Sequence, residues 1–157
     1  MLGDLSTNFY SYEFRCPCPK CRKIKVRVSS LLLFKLEMLR SDLGNEPIYI
    51  NSGNRCPDYN RVINGFSDSA HVPNPNGEAA DIKMVELDPI DIGLAAERVG
   101  GMRIGIGDTF VHLDVRKPNP SKFWIYENDI IYSGSIENTS LIKFYRIITG
   151  KESEKYV

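Results

Sequence analysis

The chain has 157 residues, 42% apolar and 25% charged, with a formal net charge of zero. That length fits one domain with an adequate core, and the composition is that of an ordinary globular protein. The charge balance gives no electrostatic basis for nucleic-acid binding, and no apolar run is long enough to span a membrane.

The opening residues, Met1 to Asn8, lack the basic-then-hydrophobic order of a signal peptide. The chain is therefore expected to be made in the cytosol. Residues 1–14 are expected to lie against the body through Phe9, Tyr12 and Phe14. Cys16-Pro17-Cys18-Pro19-Lys20-Cys21 reads as a stiff knuckle. The spacing predicts a helix over 29–43, capped by Ser29 or Ser30 and ended by Gly44 with Pro47 beyond. Leu32, Leu36, Leu39 and Leu43 recur on one face, flanked by Leu33 and Met38, and should be core.

Ile48-Tyr49-Ile50 reads as a short strand, and 57–64 as a helix with Pro at its first turn and Gly65 past its end. A second strand is expected over 80–84. Asp88-Pro89-Ile90-Asp91 opens a helix that runs to about Arg98 and stops at Gly100-Gly101. Residues 103–107 and 110–115 read as paired strands around a Gly-Asp turn. Helices and strands mix without regular βαβ alternation, so the expected class is α+β with a small antiparallel sheet. Beyond lie Ile130-Ile131-Tyr132 and an apolar stretch over 141–148.

The chain's only two histidines lie in two short stretches. Ser69-Ala70-His71 is followed, after a Pro/Asn/Gly loop, by Gly77-Glu78-Ala79-Ala80-Asp81. The other motif is Phe110-Val111-His112-Leu113-Asp114. Two neutral imidazoles and a carboxylate suit a zinc ion that keeps its fourth position open. A third element, Asn51-Ser52-Gly53-Asn54-Arg55-Cys56-Pro57, looks like a strand end, a turn and a helix start with Arg55 at the corner.

Arg turn, His…Asp loop and His-x-Asp strand, in that order, resemble the zinc D-alanyl-D-alanine carboxypeptidase family, which shares the hedgehog/DD-peptidase fold and includes phage endolysins. The matching stretches are 52–65, 69–82 and 105–115, with Asn8-Phe9…Glu13-Phe14-Arg15-Cys16-Pro17-Cys18 similar to the cell-wall branch and Trp124 falling where a Trp often follows the last strand. The resemblance spans about 8–126 and makes that stretch one peptidase domain, leaving 127–157 as an extension of open role. The His-to-Asp interval is longer than usual because Val72-Pro73-Asn74-Pro75-Asn76 lengthens the loop. Loops absorb such insertions at little cost. Asn54 stands where the family commonly has an aromatic residue, an expected change in a substrate-facing wall.

The resemblance implies His71, Asp81 and His112 as zinc ligands and Arg55 as the group that stabilises an oxyanion or holds a substrate carboxylate. A salt bridge to Asp58 or Asp68 is the structural alternative for Arg55. In a strand, His112 and Asp114 share a face, so Asp114 is expected near the metal as general base or as the group orienting His112. Many relatives carry an acid three positions before the last His; here that position is Thr109. Asp108 is a weaker base candidate, more simply read as turn chemistry; Glu78 is another candidate acid, although its loop position suggests solvent exposure; Ser69 either bonds substrate or, the preferred reading, turns the loop. Cys16, Cys18, Cys21 and Cys56 leave three states open: a structural zinc site, a disulfide from the knuckle to Cys56, or reduced thiols.

The expected function is zinc-dependent hydrolysis of bacterial peptidoglycan stem or cross-link peptides, of endolysin or carboxypeptidase type. The protein would act as a monomer, with neither nucleic-acid binding nor membrane insertion, and would reach the wall after phage-type release or delivery. The alternatives are a non-catalytic virion or wall-binding module of the same fold and a metallopeptidase acting on other peptides.

Overall fold

The computed structural model describes residues 3–117, 122–127, 130–135 and 140–151. The elements in order are α1 (Ser30–Asp42), β1 (Tyr49–Ser52), α2 (Pro57–Val62), β2 (Ala79–Lys83), α3 (Pro89–Val99), β3 (Arg103–Ile106), β4 (Val111–Asp114), β5 (Lys122–Glu127), β6 (Ile130–Ser135) and α4 (Leu141–Thr149). The strands form one sheet in the order β1-β2-β4-β3-β5-β6. Every pairing is antiparallel except β3 with β5. The class is α+β, as expected, and the sheet suits the hedgehog/DD-peptidase-like fold.

Side chains alternate across a strand, and this alternation divides the sheet into two chemistries. Ala80 and Ile82, Ile104 and Ile106, Val111 and Leu113, and Phe123 and Ile125 are all buried on one face. There α3 lies on β3 and β4, α1 packs on α3, and α4 packs on α3 and β5. α1 contributes Leu32, Leu33, Leu36 and Leu39, each fully buried Leu being worth about 1.5–3 kcal/mol. The opposite face receives Asp81, Arg103, Gly105, His112, Asp114, Trp124 and Tyr126.

The predicted helix 29–43 is α1, followed by Gly44 in the left-handed region at φ 79°, a conformation that favours glycine. Its expected hydroxyl cap does not form: Ser29 is the N-cap residue but its side chain makes no cap bond. The Ser29 N–H instead donates to Gly77 O at 2.8 Å, tying the entry of α1 to the His–Asp loop. Met38 is more exposed than its flanking position implied.

The N-terminal segment does lie against the body, through Phe9 and Phe14, both buried. Tyr12 does not take part: it is 64% exposed. The 3-10 turn Ser11–Phe14 points Phe14 inward and leaves Tyr12 stacked on Tyr10, ring centroids 5.4 Å apart. Within 127–157, β6 pairs along the whole of β5 and α4 joins the helical layer. Among the described residues no helix is long and apolar enough to cross a membrane.

Candidate metal centre and cleft

The site grows from the exit of β1. Gly53 sits directly under the N-terminal segment, where a Cβ would come within 2.5 Å of the Phe14 Cα. Its carbonyl accepts a hydrogen bond from His71 Nδ1 at 2.7 Å. A carbonyl can only accept, so Nδ1 carries the proton and the Nε2 lone pair is left facing the cleft. Such a backbone partner is how proteins fix the tautomer of a metal-binding imidazole. Around it the Ser69 Oγ accepts from the His71 N–H at 3.3 Å, the turn role expected of Ser69.

Asp81 on β2 and His112 on β4 are directly opposed in the ladder. The Asp81 Oδ1 lies 2.8 Å from His112 Nδ1 and 3.2 Å from His71 Nε2, and those two nitrogens are 3.1 Å apart. The residues 72–76 loop therefore leaves the three groups convergent despite its extra length. His71 and Asp81 are buried and His112 nearly so. Two nitrogens and a carboxylate oxygen aimed at one point form a donor set that fits zinc.

The three groups perturb one another's protonation. Burial raises the Asp81 pKa, but hydrogen bonds to His112 and His71 outweigh it and hold the carboxyl well below its usual range. Burial lowers His71, outweighing its contact with Asp81, and so favours the neutral ligand form. His112 is also pushed down by burial, yet Asp114 and Asp81 together raise it above the ordinary value.

Arg55 makes neither of the alternative pairs weighed for it. Asp58 pairs with Arg61 at 2.8 Å, and Asp68 lies 3.9 Å from Arg116. The Arg55 Nη2 instead donates to Asp81 Oδ2 at 2.5 Å, its Nε to Ser52 Oγ at 3.0 Å, and its backbone N–H to His71 O at 2.8 Å. One Asp81 oxygen is thus held by Arg55 while the other faces the histidines.

Asp114 is fully buried behind His112, with Oδ2 3.7 Å from His112 Nε2. Its Oδ1 accepts from the Arg116 N–H at 2.9 Å, and its Oδ2 accepts from Arg116 Nη2 at 3.0 Å and Nε at 3.2 Å. Arg103 Nη1 stands 3.6 Å from the same oxygen. Burial raises the Asp114 pKa, but His112 and Arg116 bring it down to about 2. Asp108 and Thr109 are exposed in the β3–β4 turn. Glu78 is half-buried rather than exposed, and its N–H donates to Ala70 O at 3.1 Å.

The histidines open into a cleft of about 540 Å³, walled by Arg55, Arg103 and Arg116 and by Phe66, Trp124 and Tyr126. Trp124 lies over Gly105, where a Cβ would approach the indole Nε1 to 2.5 Å, and its ring is 5.2 Å from that of His112. Arg103, Arg116 and Tyr126 were not anticipated. Arg103 was findable, because it shares a strand face with Gly105 opposite the His112–Asp114 pair. Asn54 is absent from the cleft wall: it is buried, with Nδ2 donating to Arg27 O at 2.9 Å. Of the cysteines, Cys16, Cys21 and Cys56 come together, while Cys18 stands outside that group.

A family model described as Peptidase M15 matches residues 7–114, from the N-terminal segment to the end of β4. No curated protein matches the chain. The matched span holds His71, Asp81, His112, Arg55 and Asp114, all on the geometry above. The chain belongs to the Peptidase M15 family, the zinc D-alanyl-D-alanine carboxypeptidase-like metallopeptidases.

Proposed function

We propose that this protein is a zinc-dependent peptidase that hydrolyses the stem or cross-link peptides of bacterial peptidoglycan, as a wall-lytic or carboxypeptidase-type enzyme. The observation that carries the reading is the convergence of His71, Asp81 and His112 within 3.2 Å at the base of an Arg- and aromatic-lined cleft. Those three residues would hold the metal. Zinc bound there supplies Lewis-acid polarisation and acidifies water to a pKa near 7.

The chain's own residues do the rest. The Gly53 carbonyl and Asp114 orient the two imidazoles from behind. Arg55 holds Asp81 and presents a guanidinium at the cleft, where it can stabilise oxyanion charge or grip a peptide carboxylate. Trp124, Tyr126 and Phe66 supply apolar walls for the peptide and exclude water. Asp114 acts in this scheme by positioning, because its oxygens are committed to Arg116 and it has no opening to the cleft.

That same observation favours a second reading, a non-catalytic wall-binding or virion module that keeps the metal. Thr109 offers no carboxylate, and the buried Asp114 is not available to a substrate. One experiment separates the readings: incubation with purified peptidoglycan, followed by mass spectrometry of released fragments, with and without a chelator. Chelator-sensitive release of peptides supports the enzyme. Binding to the wall without release supports the module, and turnover confined to ordinary peptides supports a peptidase with another substrate.

A further inference from the structure

A second convergence of ligand-type side chains lies on the other side of the Arg55 turn. Cys16 and Cys21 are buried and Cys56 is half-buried, all three as free thiols. One sulfur from each lies within 4.8 Å of the others. Two come from the Pro-stiffened knuckle and the third from the N-cap of α2, 40 residues away from Cys16. Backbone donors are aimed at the sulfurs. The Cys56 N–H donates to Cys16 Sγ and the Tyr59 N–H to Cys56 Sγ, both at 3.3 Å. Donors placed this way stabilise thiolates, whose negative charge strengthens the bond.

Charge then becomes the difficulty. Burial, followed by the neighbouring Cys56 and Cys16, pushes the Cys21 thiol up to about 12. A metal ion held there would remove that penalty, because a coordinating thiol is deprotonated outright. Capping of α2 accounts for the Cys56 sulfur, but not for the two knuckle sulfurs brought against it. A cavity of about 340 Å³ abuts these sulfurs and leaves room for a fourth ligand.

We propose that Cys16, Cys21 and Cys56 form a second, structural metal site that takes zinc as a tris-thiolate centre, separate from His71, Asp81 and His112. Soft thiolates select zinc over hard cations, and tetrahedral thiolate sites of this kind are structural. Water or Cys18 of the same knuckle completes the coordination. The site staples the N-terminal segment to the turn that bears Arg55, whose backbone also bonds His71. The metal would therefore hold one wall of the cleft without touching substrate. Because binding requires deprotonated sulfur, it releases protons and couples to folding of the knuckle.

The test uses the full chain purified under reducing conditions without chelator, with elemental analysis and cobalt replacement. The expected result is a second equivalent of zinc. Cobalt-loaded protein should show sulfur-to-cobalt charge-transfer absorption that is lost in Cys21→Ser and Cys56→Ser. His112→Ala should keep that absorption while losing the other metal. This arm makes failure of the thiolate site distinguishable from failure of the peptidase reading. Should the Cys variants fold poorly, thiol titration of the folded wild type decides: protection reversed by chelator supports the site. Four freely reacting thiols in the folded protein, absence of the sulfur-to-cobalt band, or a disulfide in the unreduced chain by mass spectrometry would each overturn it.

Discussion

Asp114 Oδ2 sits 3.7 Å from His112 Nε2, the ring nitrogen that does not face Asp81. The imidazole thus has a carboxylate at each nitrogen, one in the cleft and one buried farther along the same face of the strand. Arg116 anchors the rear carboxylate at both oxygens. Removing its charge should loosen His112 and leave the strand folded. Asp114→Asn is expected to lower metal affinity or turnover about 10- to 100-fold, measured by metal titration and peptide release. Asp108→Asn, exposed in the turn, should have a much smaller effect. The reverse ranking would transfer the role to the turn residue.

Arg55→Ala should fold and, on the zinc reading, retain metal, because His71 and His112 keep their own supports. Its loss of activity should be about a hundred- to thousandfold, corresponding to about 2.7–4 kcal/mol of lost oxyanion stabilisation. Arg55→Lys should recover little, since an ammonium cannot bridge Asp81 and Ser52 with a planar fork. Equal activity of wild type and Arg55→Ala on wall peptides would confine Arg55 to holding Asp81.

Gly105 gives a packing test. A methyl group there would press on Trp124 at 2.5 Å from its Nε1, and the indole leans on His112. Gly105→Ala should cost about 1–3 kcal/mol by overpacking, read as a lower Tm, and should reduce turnover by displacing Trp124 from the cleft wall. A variant with unchanged Tm and rate would show that the indole moves aside freely.

Glu37 on α1 ties down the N-terminal segment by accepting from Ser6 Oγ at 2.7 Å, the Asn8 N–H at 2.8 Å and Asn8 Nδ2 at 2.7 Å. Burial raises its pKa, but the Ser6 and Asn8 bonds outweigh that and leave it lowered. A depressed folded value means that this stabilisation is complete above the ordinary glutamate pKa, about 4.3, and is lost as pH falls through the folded value. Glu37→Gln should therefore cost about 1 kcal/mol near neutral pH, allowing for solvent screening. Denaturation midpoints of the two proteins should converge in acid. A gap that persists at low pH would point to lost packing rather than lost charge.

The convergence of His71, Asp81 and His112 was legible in the sequence because the chain's two histidines both fall in motifs that follow the Arg turn in a recognisable order, and period-2 alternation places His112 and Asp114 on one face. Helix boundaries followed local rules: Pro57, Asp88-Pro89 and Gly44 act within a turn of themselves. What escaped was long-range. The parallel β3–β5 pairing, which sets Trp124 over Gly105, depends on a crossover that no local pattern specifies. Arg116 is a local exception: it bonds Asp114 from two residues away, but by residue type alone it would read as ordinary surface charge. Tyr12 and Asn54 were misjudged for a related reason. Each stands at a position whose outward or inward sense is decided by a neighbour's packing, Phe14 in one case and Arg27 in the other.

The two-sided division of the sheet has an evolutionary consequence. Along β2, β3, β4 and β5, neighbouring residues answer to different selective demands, one to the helical layer and the next to the cleft. Substrate preference can drift by replacing residues on one face while the other keeps folding free energy intact. A saturation-mutagenesis map scored separately for abundance and for peptidase activity should resolve into two interleaved combs, offset by a single residue. Positions such as 104, 113 and 123 would appear in the first, and 103, 112 and 124 in the second.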